Sequence, residues 1–212
     1  MTVYGDPAAE LVLIQPVDKH ELEGMEAEVG EIRSLTDHSF CLCAVKVDKW
    51  NDELSPWQAP AVFGERGFGG RAEETFEKIL KYCKDPDKTY IIGGYSLAGL
   101  FALWAATRTE VFGAVAAASP SVWFPDFYQY AEENPIRTKA VYLSLGDKEE
   151  KTRNPVMAMV GDNIRKLHEM LKEAGNDTVL EWNPGNHFRD ADIRTAKAFA
   201  WVMDEVRKNP QI

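Results

Sequence analysis

The 212-residue chain has only three cysteines, Cys41, Cys43 and Cys83, and no C-x-x-C pair. That excludes a disulfide-stapled scaffold and leaves a zinc or thiol-redox centre without its usual ligand spacing. Cys41 and Cys43 sit two apart in an apolar run, so they are expected on one strand face as small core residues, in a reducing cytoplasm. Basic charge is also scarce: 24 Lys and Arg against 34 Asp and Glu leave a formal net charge of −10. Neither nucleic acid nor an anionic membrane surface is an expected partner of such a chain. No run approaches the ~20 apolar residues of a bilayer span. The first aliphatic run, 11–17, contains Gln15 and Pro16 and has no basic residue before it, so no signal peptide is expected there. The four histidines are scattered, and no G-K-[S/T] follows Gly93-Gly94, so neither a metal nor any other cofactor is expected.

The chain does have a strong alternation of pattern. Apolar residues make up 45% of it, enough for a sizeable core, and its length suits a single domain over 1–212. Apolar runs at 11–15 (closed by Pro16), 40–47, 90–95, 112–117, 140–145 and 178–182 read as strands. Apolar residues three to four apart mark helices at 20–35, 69–83, 97–107, 156–174 and 193–206. Helices between the strands are too long for hairpin connections. They predict a mostly parallel sheet covered on both faces, a doubly wound three-layer α/β sandwich. Two irregular stretches, 48–68 and 119–137, carry proline and tryptophan; loops of that length are functional or have structure of their own. Chemistry in such a sheet is expected at the C-terminal ends of the strands.

One motif lies at such an end. Ile91-Ile92-Gly93-Gly94-Tyr95-Ser96-Leu97-Ala98-Gly99 runs from an apolar strand through a tight turn into an apolar helix. A serine on so sharp a turn needs small neighbours, and Gly94, Ala98 and Gly99 supply them. Ser96 Oγ would then stand above the sheet, with the Leu97 amide at the helix N-terminus as a donor to a developing oxyanion. The alternative is a serine that merely caps a helix. A nucleophilic serine needs a base. Of His20, His38, His168 and His187, only His187 follows a strand, in the loop Asn183-Pro184-Gly185-Asn186-His187-Phe188. An acid should orient that imidazole. The strand at 140–145 runs into Gly146-Asp147-Lys148-Glu149-Glu150, where Glu149 is preferred, with Asp147 and then Glu150 as alternatives. The resulting order, nucleophile, acid, base, is that of α/β-hydrolases.

Four segments in order resemble the α/β-hydrolase superfamily, and within it the branch of esterase D and enterochelin-esterase-like proteins. They are 94–103 (GYSLAGLFAL), 118–123 (ASPSVW), 144–149 (SLGDKE) and 185–188 (GNHF), spread over about half of the chain. The resemblance implies an α/β-hydrolase fold in a minimal form without a large lid. It also implies Ser96 as nucleophile, Glu149 as orienting acid and His187 as base, with Ser121 and Trp123 lining the site. Two departures stand out. The second oxyanion amide of the family follows a His-Gly or Asp-Gly pair, where this chain reads Gln15-Pro16-Val17-Asp18. Pro16 has no N–H, so the Val17 amide, or that of Asp18, is expected to serve. The chain also begins almost at the strand usually counted third, so the leading antiparallel strands are expected to be missing.

Trp57 and Trp123 are expected to converge from different loops as an aromatic wall beside Ser96. Arg66, Arg71 and Arg137 are read as solvated surface. The expected activity is hydrolysis of small-molecule carboxylic esters at an open, shallow site, with a homo-oligomer left open. Its rivals are a non-catalytic binding protein on the same fold, which the altered segment 15–18 motivates, and an acyltransferase using the same three residues.

Overall fold

A computed structural model describes residues 1–208. In chain order the elements are strands β1 (Thr2–Gly5) and β2 (Leu11–Val17), helix α1 (Lys19–Leu35), β3 (Phe40–Lys46), the single-turn α2 (Trp50–Glu53), and the two-residue strands β4 (Gln58–Ala59) and β5 (Phe68–Gly69). They continue with α3 (Ala72–Leu80), β6 (Thr89–Tyr95), α4 (Leu97–Arg108), β7 (Phe112–Ala118), α5 (Phe127–Glu133) and β8 (Ala140–Gly146). The last are α6 (Pro155–Ala158), α7 (Val160–Glu173), β9 (Asp177–Asn183) and α8 (Ala191–Lys208). Seven strands form one sheet in the order β1-β3-β2-β6-β7-β8-β9, parallel except for β1, which runs antiparallel to β3. β4 and β5 form a separate small ribbon.

Alternation along the strands divides the core between two faces. Leu11, Leu13 and Val17 of β2 pack with Met25, Val29 and Ile32 of α1 and with Phe199, Val202 and Met203 of α8. Val12 and Ile14 face the other way, against Phe76 and Ile79 of α3, the apolar α4 and Ile164 and Leu167 of α7. Cys41 and Cys43 sit on this second face with both thiols free. Burial pushes the Cys43 thiol up to about 12, with its neighbour Cys41 adding to the effect, as suits a core residue and not a reactive one. The strand order reverses direction between β2 and β6, so the crevice of this sheet opens at the C-terminal ends of those two strands. No helix among the described residues is long and apolar enough to cross a membrane.

Four expectations about elements need correction. An antiparallel strand, β1, does precede the parallel ones; its four residues are too few and too exposed to show in the apolar pattern. β2 does not stop at Pro16 but continues to Val17. The Val17 carbonyl accepts from Val47 beyond β3, so Pro16 directs its backbone toward β6, whose pairing with β2 ends at Ile14. No ladder bond is lost there, so proline fits. The helix over 156–174 is divided at Met159 (ψ −10°) into α6 and α7. Gly69 belongs to β5, so α3 begins later than its apolar spacing suggested. The stretches 48–68 and 119–137 do carry structure of their own: α2, β4 and part of β5 in the first, α5 in the second.

Candidate active site

Ser96 joins β6 to α4 with φ 56° and ψ −119°. A non-glycine residue held there costs about 1–3 kcal/mol, which the surroundings must over-determine. They do so with the backbone. The Ser96 amide donates to Ala118 at the end of β7 (3.1 Å), and its carbonyl accepts from Leu100 (3.1 Å) and Ser121 (3.0 Å). The need for small neighbours is met by contact: a Cβ on Gly94 would lie 2.6 Å from the Ala98 Cβ. The Leu97 amide falls in the first turn of α4, where helix geometry provides no acceptor.

The structure brings Ser96, His187 and Glu149 together. His187 Nε2 lies 2.9 Å from Ser96 Oγ, and Nδ1 lies 2.6 Å from Glu149 Oε2. With the proton on Nδ1 directed at the carboxylate, Nε2 offers its lone pair to the serine hydroxyl. Glu149 opens a 3-10 turn after β8, its side chain only 4% exposed. Burial disfavours its charge, but the bond to His187, the imidazole charge, the Gly146 amide and the Ser119 hydroxyl together outweigh that and hold the carboxyl below its ordinary value. Its Oε1 accepts from the Gly146 amide (2.7 Å), Ser119 Oγ (2.9 Å) and Arg194 Nη1 (3.0 Å).

Arg194 and Ser119 are the residues that the sequence reading missed. Arg194, on α8, is 1% exposed and also donates to the Tyr95 hydroxyl (3.0 Å) and the Pro184 carbonyl (3.1 Å). The Tyr95 hydroxyl in turn donates to the His187 carbonyl (2.9 Å), and its ring lies 5.1 Å from the imidazole. One guanidinium thus ties the acid, the strand before the nucleophile and the histidine loop into one unit. An arginine between Ile193 and Thr195 on an amphipathic helix gives no local sign of this burial.

The alternatives to Glu149 have other tasks. Asp147 accepts from the Gly185 amide (2.8 Å), clasping the histidine loop to the β8 turn, and Glu150 pairs with Arg165 (2.8 Å). His38 meets Asp204, and His20 lies on α1. Burial lowers the affinity of the mid-helix His168 for a proton. Arg71 is paired with Glu74 (2.6 Å), and Arg66 lines a separate groove with Lys46 and Lys49 at the end of β3.

The expectation for Val17 is corrected. In an extended strand a residue's N–H and C=O point to the same side, and the Val17 carbonyl is bonded on the β3 side, away from Ser96. The Asp18 amide is already held by Glu21 Oε2 (3.0 Å) in a capping box at the start of α1. Segment 16–18 therefore presents no free amide to the crevice, and the Leu97 amide remains.

The aromatic wall is also different from the expected one. Trp123 does border a small recess of about 20 Å³ with His187, Glu149 and Met157, and half-exposed Phe63 stands edge-on to it at 6.0 Å. Trp57 does not join it: its ring packs on Phe124 (5.5 Å) and Tyr130 (5.3 Å), and its Nε1 donates to the Pro125 carbonyl (3.1 Å). Ser121 does sit in the site, its Oγ 3.2 Å from that of Ser96. Phe188, 89% exposed, stands beside His187 with ring centres 5.7 Å apart.

The known proteins to which this chain is similar share little of its sequence. No family model matches the chain. An uncharacterised protein of Bacillus subtilis (strain 168), YbbA, is 23% identical over 149 residues, 63% of this chain. The match spans only 59% of that relative's length. An IroE-like serine hydrolase from Shewanella oneidensis superposes with a TM-score of 0.75 at 13% identity, over 96% of this chain and 75% of that one. The enterobactin esterase of Shigella flexneri gives 0.60 at 13% identity, over 96% of this chain and 55% of that one. Est1E from Butyrivibrio proteoclasticus gives 0.61 at 13% identity, over 98% and 93%. The sheet order, the crossovers and these superpositions define a protein of the α/β-hydrolase fold. The strained serine turn and the two loops that meet it place the candidate chemistry at the crevice between β2 and β6.

Proposed function

We propose that the chain is a serine hydrolase that cleaves small-molecule carboxylic esters through an acyl-enzyme. The observation that carries this reading is the unbroken chain from Ser96 Oγ to His187 Nε2 (2.9 Å) and from Nδ1 to Glu149 (2.6 Å), built on a serine held at φ 56°. Ser96 Oγ attacks the acyl carbon while its proton passes to Nε2, and the Leu97 amide receives the oxyanion. Collapse breaks the bond to the alcohol, which leaves with the proton from Nε2. Water then attacks the acyl-Ser96 ester, His187 takes its proton, and the carboxylic acid departs as Ser96 Oγ is reprotonated. Glu149 keeps the imidazole in the required tautomer and stabilises its cation. Ester substrates, as opposed to amides, are supported by the names of the structural neighbours, an enterobactin esterase among them.

A second reading rests on one specific feature. The amides of Val17 and Asp18 are both committed elsewhere, which favours a non-catalytic binding protein on the same fold. Intact mass after treatment with a fluorophosphonate separates the two. A single adduct on the wild type, absent from Ser96→Ala and His187→Ala, with hydrolysis of p-nitrophenyl esters lost in both, is the expected result. A folded wild type that takes no adduct favours the binding protein.

A further inference from the structure

A second cavity, of about 540 Å³, opens between the start of α1 and the start of α8 below the end of β2. Its walls include Tyr95 and Phe188, the chain neighbours of Ser96 and His187. Five of the lining residues are carboxylates, among them Glu21, Glu28 and Asp192, and none is Lys or Arg. Surface carboxylates alone would mean little, but the floor of the cavity is not surface. Gln15 is 2% exposed and Glu28 is 7% exposed, and the Oε1 of each has no hydrogen-bond partner. An unsatisfied buried acceptor costs about 1–3 kcal/mol, so an ammonium bound in this acidic recess would be stabilised by two such oxygens at once.

A primary ammonium supplies what both oxygens lack: three N–H donors and a positive charge. We infer that this cavity is the substrate-recognition subsite of the proposed hydrolase and that it selects esters bearing a primary ammonium group, held by Gln15 Oε1 and Glu28 with Asp192 at the rim. The inference rests on the ester-hydrolase reading for its chemistry, and on the two donorless oxygens for its specificity. Burial, opposed by the Gln15 amide, pushes the Glu28 carboxyl up to about 8, so near neutrality Glu28 holds a proton that it gives up when the ammonium binds.

The test compares charged and uncharged isosteres on both sides of the ester. One pair is p-nitrophenyl 6-aminohexanoate against p-nitrophenyl heptanoate; the other is 6-aminohexyl acetate against heptyl acetate. In at least one pair the ammonium ester should be favoured about tenfold or more in kcat/KM, mainly through KM. That ratio should fall toward one in Glu28→Gln, in the exposed and structurally mild Asp192→Asn, and with added salt. Equal rates, or preference for the uncharged member, in both pairs overturns the inference while leaving the hydrolase intact. Should the wild type turn over no ester and take no fluorophosphonate, the hydrolase reading fails and calorimetry reads the cavity alone. Hexylammonium that binds, with hexanoate inert and Asp192→Asn weakening the binding, then supports a cation site. Absence of binding removes it.

Discussion

Replacing Arg194 with methionine tests the description of the site without a known substrate. The side chain is 2% exposed and gives Nη1 to Glu149, Tyr95 and Ser119 and Nη2 to Pro184. Methionine fills part of the volume but leaves the Glu149 carboxylate without its buried cation and the Pro184 carbonyl without this donor. Breaking one side of a buried pair costs about 3–5 kcal/mol. At about 2–4 °C per kcal/mol for a chain of this size, the midpoint of thermal unfolding should drop by about 6–20 °C. The cost should be far from additive. With Glu149→Gln already in place, Arg194→Met no longer strands a charge, so the two changes should couple by about 2 kcal/mol or more. In the wild type, the stability from Glu149 is present above its ordinary value near 4.5 and is lost as the pH falls through its lower folded value. Loss of the cation should move the acid limb of the pH–rate profile to higher pH, an effect that a merely structural arginine would not produce. Differential scanning calorimetry of the two single variants and the double variant provides the numbers. A midpoint within about 2 °C of wild type, or additive losses, would refute the account.

Glu28→Gln should flatten the pH dependence of stability. Burial raises the Glu28 carboxyl from about 4.5 to about 8, so the folded state holds an extra proton across that window and stability falls as pH rises through it. At 1.36 kcal/mol per pH unit the effect has an upper bound of about 5 kcal/mol; urea unfolding across the window checks it, and wild-type and variant curves that stay parallel would count against it. Gly94→Ala should lose about 1–3 kcal/mol and most activity, because the new Cβ would meet Ala98 at 2.6 Å and Gly94 stands at φ 156°, which strains any side chain; adding Ala98→Gly removes the clash but not the strain and should restore only part of the loss. Trp57→Phe should cost about 1 kcal/mol of stability through the lost Pro125 bond and leave KM for p-nitrophenyl esters in place, whereas Trp123→Phe should change KM.

The sequence alone determined the parts of this protein that depend on a few neighbouring residues. Apolar period sets the strands and helices, and the small residues around Ser96 permit a strained turn that larger side chains would block. With only four histidines, and three carboxylates in the turn after the strand at 140–145, His187 could be chosen and Glu149 preferred over Asp147 and Glu150 before their partners were seen. What remained illegible depends on partners far away in the chain. Arg194 meets Tyr95 across 99 residues and Glu149 across 45, and nothing local distinguishes it from a solvated helix arginine. The direction of the Val17 amide is set by its pairing with β3, and Asp18 is withdrawn by Glu21; neither hydrogen bond follows from residue type. Trp57 and Trp123 look alike as loop tryptophans, but packing sends one onto Phe124 and Tyr130 and the other to His187. Gln15 and Glu28 acquire their unsatisfied oxygens only when α1 closes over β2. Backbone sterics and hydropathy act locally and leave their mark in short stretches of sequence. Burial of charge and the direction of a side chain belong to the packed whole.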